Sequence, residues 1–477
     1  MNRGRELAKN TMIISIGKIG TQFVSFLLLP LYTAKLTTEE YGTVDLLNTY
    51  ISLLIPIIVF QIEQAIFRYL IDAREKEYEK EKLISTTFYI VTVQVAIFLF
   101  IYCCVVSKFI QNDYKNFLAT NVVATIFSTI MLQIARGLGK NKVYSLGSFI
   151  TASLTIVLNV IFIVCFNLGA YGMLGAYLIA NIICSFFVIF KLKIYQYIKI
   201  KAFNIKTLKS LWKYSIPLIP NALSWWVMGV SDRTIITMFL GVAKNGIYSV
   251  ANKFPGIFST MSTIFSMSWT ETVALHINDK DSTTYLSNTM DTVFRLFSSI
   301  CFGIIACIPF IFSFIINENY KESYNQIPIL MIGTLCNLVV ILLSAIYVAK
   351  KMTRKIAQTS VISAIINIFM NLILIKIIGL YAASLSTAVA YFSMMIIRMF
   401  DIKRYIDIKY NMKTIISTTV ITIFLFITYY LNIAIVNIFA LIIVILYSIL
   451  LNKQIINIIV NKAQEVSFKW CNRSISK

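Results

Sequence analysis

Residues 327–349 read IPILMIGTLCNLVVILLSAIYVA and include no charged side chain. An α-helix that crosses a bilayer needs about 20 mostly apolar residues, because each residue advances about 1.5 Å through roughly 30 Å of hydrocarbon. This stretch is long and apolar enough to do so. It therefore predicts a transmembrane helix.

Comparable stretches recur along the 477 residues, of which 58% are hydrophobic and 13% are charged. Soluble domains contain about 45–50% apolar residues, so the surplus here must face lipid. We predict an all-α, polytopic membrane protein with about 14 transmembrane helices. The predicted spans are residues 11–34, 42–71, 83–107, 117–138, 145–166, 173–191, 214–240, 243–272, 291–316, 327–349, 356–377, 379–399, 414–432 and 434–451.

The chain is strongly basic, with 43 Lys and Arg against 21 Asp and Glu. Short loops rich in Lys and Arg lie on the cytoplasmic side of a membrane, and most of these residues fall in alternate loops on the side of both termini. We therefore predict a multi-pass protein of the bacterial cytoplasmic (inner) membrane with cytoplasmic N- and C-termini. No nucleic-acid-binding motif accompanies the charge, and the single histidine and the cysteine spacing match no metal site. We predict no nucleic-acid partner, no metal and no cofactor.

Two pairs of segments indicate an internal repeat displaced by six helices, a common plan in transporters. Because six is even, the two halves would share one orientation in the membrane. The predicted organisation is an N-terminal six-helix lobe (1–192), a basic cytoplasmic linker (193–212), a C-terminal six-helix lobe (213–400), two additional helices (401–452) and a cytoplasmic tail (453–477). The matched pairs are Leu36 and Leu240, Gly42 and Gly246, Asn48 and Asn252, Ala152 and Ala364, Asn159 and Asn371, Gly169 and Gly379, Tyr171 and Tyr381, and Ala180 and Ala390.

Once the basic residues counted with the flanking loops are set aside, four remain within predicted helices, where a Lys or Arg costs about 2.5–3.5 kcal/mol at the bilayer centre and so marks a candidate functional site. Lys253 lies near the middle of the eighth helix, where its amine is least able to reach the interface. Arg68 lies near a helix end, and for it an interfacial position is the alternative interpretation. The candidates for a cationic, substrate-binding cavity are Lys18, Arg68, Arg233 and Lys253.

Polar and acidic side chains in the same helices are candidates for a wet interior or for ion coupling, since a carboxylate in a low-dielectric cavity can exchange protons. Gln61, Gln64 and Arg68 are predicted to share a helix face. An interfacial position is the alternative for Asp45 and Glu271, and Asp232 could neutralise Arg233. The candidates are Asp45, Gln61, Glu63, Gln64, Asn221, Asp232 and Glu271.

The stretch KYSIPLIPNALSWWVMGVSDRTIITMFLGVAKNGIYSVANKFP, from Lys213, resembles the Wzx-type polysaccharide flippases of the multidrug, oligosaccharidyl-lipid and polysaccharide exporter superfamily. PLYTAKLTTEEYG from Pro30 and QAIFRY from Gln64 are similar to the N-terminal half of that family. The resemblance implies two six-helix lobes around a cationic central cavity. Lys18, Arg68, Arg233 and Lys253 are the positions that fit that feature.

The function implied by the resemblance is translocation of an undecaprenyl-pyrophosphate-linked oligosaccharide by alternating access, without catalytic residues or covalent chemistry. It would serve O-antigen or capsule biosynthesis. The implied partners are this lipid-linked oligosaccharide and membrane lipids. A proton or sodium ion is a candidate for coupling, and a polysaccharide polymerase and chain-length proteins are candidate partners.

Three alternatives remain open from the sequence. A flippase for a lipid-linked peptidoglycan precursor would share the polyprenyl carrier and the pyrophosphate. A multidrug exporter of the same superfamily would carry a cavity rich in carboxylates and usually has twelve helices. A membrane enzyme such as a polysaccharide polymerase or ligase would display catalytic residues on a large outer loop, whereas the outer loops predicted here are short.

Overall fold

The computed structural model describes residues 26, 28–106, 113–350 and 352–453, and no β-strand lies among them. Short turns join the helices, and π-helical turns at Tyr102–Val106 and Ile161–Cys165 extend two of them. The prediction of an all-α chain is confirmed. The described helices are α1 (Leu29–Lys35), α2 (Thr38–Ile58), α3 (Ile62–Asp72), α4 (Glu77–Ile101), α5 (Lys115–Gly137), α6 (Asn141–Val160), α7 (Gly169–Lys191), α8 (Ile205–Ser215), α9 (Ile219–Leu240), α10 (Val242–His276), α11 (Ser282–Ile315), α12 (Ile327–Ala349), α13 (Thr353–Ile378), α14 (Tyr381–Ile402), α15 (Met412–Leu431) and α16 (Ala434–Leu451).

Eleven helices in the described part of the chain are long and apolar enough to cross a membrane. They match eleven of the predicted spans and confirm a polytopic membrane protein. The first predicted span, 11–34, lies mostly outside the described residues. The seventh and eighth predicted spans correspond to α9 and α10, which carry the charged side chains Asp232, Arg233 and Lys253 and are not among the eleven.

The prediction of one continuous second helix over 42–71 is wrong, because the chain breaks between α2 and α3. α2 accommodates Pro56 and ends two residues later at Ile58. Phe60 and Gln61 then adopt left-handed backbone conformations, with φ of 52° and 56°, which cost about 1–2 kcal/mol per residue outside glycine. Gln61 therefore precedes α3, whereas Gln64 and Arg68 lie one turn apart on that helix.

Contacts among the helices group the chain into two compact units. Unit 1 comprises Met1–Thr260, Ile316–Ser323 and Ser360–Ser386, and unit 2 comprises Met261–Ile315, Tyr324–Thr359 and Thr387–Lys477. The division into lobes at 1–192 and 213–400, with the linker, extra helices and tail, stays a prediction.

In unit 1 the apolar face of α3 packs on α5. Ile66 and Leu70 are fully buried and belong to the same hydrophobic cluster as Ile130 and Ile134. Gly137 permits the approach, since a Cβ there would lie 2.8 Å from the Cβ of Leu70. Burial of each such aliphatic side chain contributes about 1.5–3 kcal/mol.

A second close approach in unit 1 joins α2 and α10 through two glycines. A Cβ on Gly42 would overlap the carbonyl oxygen of Val242, and a Cβ on Gly246 would overlap that of Thr38. Small residues at such crossings let two backbones come into contact within a membrane. Gly42 and Gly246 are also an equivalent pair in the predicted repeat, so each copy of the motif packs against the other.

Unit 2 has a buried arginine at its centre. Arg398 on α14 is 1% exposed. Its guanidinium donates to the hydroxyl of Thr359 at 3.0 Å and to the carbonyl oxygen of Val340 at 3.2 Å. These hydrogen bonds connect α14 to α12 and α13.

Candidate functional site

A largely buried ion pair inside unit 1 joins α2 to α9. The Nε of Arg233 donates to Oδ2 of Asp45 at 2.6 Å, and the two side chains are 14% and 20% exposed. A second bond between these helices runs from the indole N–H of Trp226 to the carbonyl oxygen of Thr49, at 3.0 Å. Because Asp45 balances the charge of Arg233, this arginine is held between helices instead of standing alone.

Asp232, the neighbour of Arg233, points to other partners. Its carboxylate accepts hydrogen bonds from the hydroxyl of Tyr248 at 3.0 Å and from the amide of Asn371 at 2.9 Å. It is 4% exposed. These bonds connect α9 with α10 and α13.

The predicted repeat partner of Asn371 makes an analogous contact. Asn159 on α6 donates to the hydroxyl of Tyr32 on α1, at 2.8 Å. In both amides the buried carbonyl oxygen has no hydrogen-bond partner among the described residues. An asparagine of the fifth predicted span thus donates a hydrogen bond to the first span, and an asparagine of the eleventh donates one to the seventh.

Lys253 lies near the Asp45–Arg233 ion pair and near Tyr32. Its ammonium is 6.0 Å from the centre of the Tyr41 ring, close enough for a cation–π interaction. It also interacts electrostatically with Asp45, Tyr32 and Arg233. The sequence-predicted residues Asp45, Arg233 and Lys253 therefore come together in unit 1.

Lys253 also lines a polar cavity of about 550 Å³ in unit 1. This volume falls within the range of about 300–1,000 Å³ that is typical of small-molecule sites. Hydroxyl, amide and aromatic side chains dominate the lining. The lining residues are Tyr32, Tyr41, Asn48, Thr125, Ser128, Thr129, Leu132, Tyr144, Ser145, Ser148, Phe149, Thr151, Ala152, Thr155, Ile156, Asn159, Met173, Tyr177, Asn181 and Lys253.

Unit 2 contains a cavity of different character. It has a volume of about 450 Å³ and a mostly apolar lining, with Phe294, Leu335, Val339, Phe392 and Met395 among its walls. The polar cavity of unit 1 is therefore the better match to a hydrophilic solute.

Arg68, another predicted cation, does not join this group. Arg68 is exposed on α3 and forms an ion pair with Asp72 at 2.7 Å. Lys18 lies outside the described residues. Whether either of them contacts a substrate stays a prediction.

The remaining polar candidates occupy varied positions. Glu63, in the first turn of α3, is 5% exposed, and its Oε2 has no hydrogen-bond partner among the described residues. Gln61, at the break before α3, and Gln64, in the first turn of α3, are half-buried, and Glu271 is exposed on α10. Asn221 belongs to α9, but its side chain lies outside the described part of the structure.

Sequence reasoning passed over the hydroxyl-bearing face of α6. Ser145, Ser148, Thr155 and Asn159, with Ala152 between them, recur every three or four residues, the spacing of one helix face, and all of them line the cavity. The same periodicity within an apolar run could have revealed it. Arg398 was also passed over because it lies close to the end of a predicted span.

Helices long and apolar enough to span a membrane, together with buried charges and a polar cavity, define a polytopic membrane protein with a candidate binding site. The chain belongs to the polysaccharide biosynthesis protein family, whose model matches residues 7–273. It is also similar to protein 1 of the Lsg locus of Haemophilus influenzae, with 24% identity over 250 residues. That alignment spans 51% of this chain and 59% of the relative.

Solved structures share the fold at low sequence identity. The lipid II flippase MurJ in an inward closed conformation has a TM-score of 0.68 and 17% identity, and the match covers 95% of this chain and 99% of that one. An inward-facing multidrug resistance MATE transporter of the MOP superfamily has a TM-score of 0.65 and 12% identity, covering 81% of this chain and 96% of that one. A MOP superfamily transporter from Pyrococcus furiosus has a TM-score of 0.55 and 14% identity, with 82% and 94% covered. These matches show that the chain shares the fold of those proteins.

Proposed function

We propose that this protein is a flippase that moves undecaprenyl-pyrophosphate-linked oligosaccharide repeat units across the bacterial cytoplasmic membrane, for O-antigen or capsule biosynthesis. The observation that carries the proposal is Lys253, a lysine within the long helix α10 of a polysaccharide biosynthesis family member, which lines a hydroxyl-rich cavity. An ammonium suits a pyrophosphate, and hydroxyl side chains suit sugars.

Transport requires no covalent step in this proposal. The polar part of the substrate would enter the protein while its polyprenyl chain stays in lipid, and alternating access would expose the site to each side in turn. A proton or sodium gradient, or the concentration of the lipid-linked substrate itself, would supply the driving force. A polysaccharide polymerase and chain-length proteins would act on the product in the outer leaflet.

A flippase for a peptidoglycan precursor is the second candidate, and the extent of the fold match favours it over a drug exporter. The MurJ match includes 95% of this chain, compared with 81% for the MATE transporter. At 17% identity that likeness supports the architecture and leaves the glycan to experiment.

The test is deletion of the gene in its own host, followed by analysis of the surface polysaccharide and of the polyprenyl-linked intermediates. We expect viable cells that lose the polymer and accumulate complete lipid-linked repeat units in the inner leaflet. Complementation with the wild-type gene should restore the polymer, whereas a Lys253→Gln gene expressed at the same level should not. Lethality with accumulated peptidoglycan precursor would favour the second candidate, and unchanged polysaccharide with new drug sensitivity would overturn the proposal.

A further inference from the structure

The polar cavity of unit 1 presents hydrogen-bond acceptors on one wall. The hydroxyl of Thr151 donates to the carbonyl oxygen of Gly147 at 3.0 Å. The hydroxyl of Thr155 donates to the backbone carbonyl oxygen of Thr151 at 2.8 Å. Because each hydroxyl has only one proton to donate, what it retains for a ligand is its lone pairs. Asn159, one turn further along α6, also lines the cavity, but its carbonyl oxygen is buried and is not counted with these acceptors.

An acceptor-rich wall selects a ligand that carries many O–H or N–H donors. Buried acceptors that stay unpaired are costly, so a ligand that supplies donors gains both the hydrogen bonds and relief from that cost. Sugar hydroxyls are such donors. The aromatic walls formed by Tyr144 and Tyr177 supply the flat apolar surface that accompanies polar groups in small-molecule sites.

The position of Lys253 fixes how a glycolipid would lie. Its ammonium belongs to the lining of the same cavity and is held close to Tyr41 on α2, whereas the acceptor wall lies on α6. A pyrophosphate at Lys253 would therefore allow the sugar attached to it to extend along α6.

We propose that the cavity in unit 1 is a saccharide subsite, which binds the sugar nearest to the pyrophosphate through the acceptor wall formed by Thr151 and Thr155. This inference rests on the proposed flippase function and adds to it the place where the glycan is recognised. It predicts that the protein binds the sugar hydroxyls and the pyrophosphate through different side chains.

The experiment measures binding of two probes to the full-length protein in lipid nanodiscs. One probe is undecaprenyl pyrophosphate, and the other is the lipid-linked oligosaccharide extracted from the host deletion strain. The test variant is Thr151→Val/Thr155→Val, which preserves side-chain shape and removes both acceptors. The matched control is Thr92→Val/Thr120→Val, because these threonines make the same hydrogen bond to the preceding turn, at 2.9 Å each, but are exposed and lie outside the cavity.

We expect the wild type to bind the oligosaccharide probe more tightly than undecaprenyl pyrophosphate. The cavity variant should lose about tenfold in affinity for the oligosaccharide, the effect of two hydrogen bonds. It should keep its affinity for undecaprenyl pyrophosphate, which also shows that it is folded, and the control variant should match the wild type with both probes.

Equal binding of the two probes by the wild type, or unchanged oligosaccharide binding by the cavity variant, would overturn the subsite and leave the flippase proposal standing. Equal weakening of both probes by the cavity variant would also overturn it, since the effect would then be general. Wild-type protein that binds neither probe would overturn the flippase proposal, and the subsite with it.

Discussion

At the residue scale, burial separates ion pairs that look alike in the sequence. Arg68 and Asp72 are 48% and 66% exposed, whereas Arg233 and Asp45 are 14% and 20% exposed. An exposed pair contributes little because water and salt screen it. Loss of one partner of a buried pair leaves an uncompensated charge in a low-dielectric interior.

Asp45→Asn should therefore lower the stability of the protein by about 3–5 kcal/mol, the typical cost of stranding one buried charge. The measurement is the apparent melting temperature of the purified, detergent-solubilised protein. Asp45→Asn/Arg233→Gln should recover most of the loss, because the stranded guanidinium is then removed as well. Asp72→Asn is the control and should melt close to the wild type, and an Asp45→Asn protein that does likewise would contradict the pairing.

Lys253 should provide charge for the pyrophosphate and not only a hydrogen bond. Lys253→Gln should weaken binding of undecaprenyl pyrophosphate to the reconstituted protein by about 10- to 100-fold, the range of a hydrogen bond to a charged group. Lys253→Arg should retain most of the affinity because it keeps the charge.

Lys376→Gln is the matched control for Lys253. Lys376 also lies over an aromatic ring, 5.5 Å from the centre of Phe239, but it is exposed and outside the cavity. Wild-type affinity in Lys253→Gln, or equal losses in both lysine variants, would remove Lys253 from the binding site.

At the element scale, the crossing of α2 and α10 sets the distance between helices that carry Asp45 and Lys253. Gly42→Ala should be strongly destabilising, since its methyl group would overlap the Val242 carbonyl oxygen and overpacking costs about 1–3 kcal/mol or more. Gly303→Ala on α11 meets no atom within 4 Å, and it should be neutral or slightly stabilising because alanine favours the helix. Yield and melting temperature of the two variants measure the difference, and equal values would show that the helices do not approach so closely.

The sequence predicted elements better than it predicted contacts. Runs such as 327–349 identify helices because length and hydropathy are local properties of the chain. The break before α3 was missed, since nothing local marks Phe60 and Gln61 as left-handed. The pairing of Asp45 with Arg233 joins residues 188 positions apart, and it depends on which helices are neighbours, which hydropathy does not encode. The hydroxyl face of α6, by contrast, was present in the sequence as a periodicity.

At the scale of the whole molecule, α9 and α10 are the critical pair. They carry Asp232, Arg233 and Lys253 and are not among the eleven helices apolar enough to span a membrane by composition. If they cross the bilayer, those charges lie within the hydrocarbon and must face the protein interior, because lipid does not solvate them. If they do not cross the bilayer, these charges need not face the protein interior, and the prediction of fourteen transmembrane helices is wrong.

Two lysines that flank α10 test the crossing. Lys244 precedes most of that helix and Lys280 follows it, so one crossing puts them on opposite sides, with Lys244 outside by the distribution of basic loops. Each would be changed to cysteine in a protein whose eight native cysteines are replaced by alanine. A membrane-impermeant maleimide applied to intact cells should label Lys244→Cys, and it should label Lys280→Cys only after permeabilisation, while the cysteine-free parent stays unlabelled. Labelling of both positions from one side would place α10 along the membrane surface, and the reverse pattern would invert the predicted orientation.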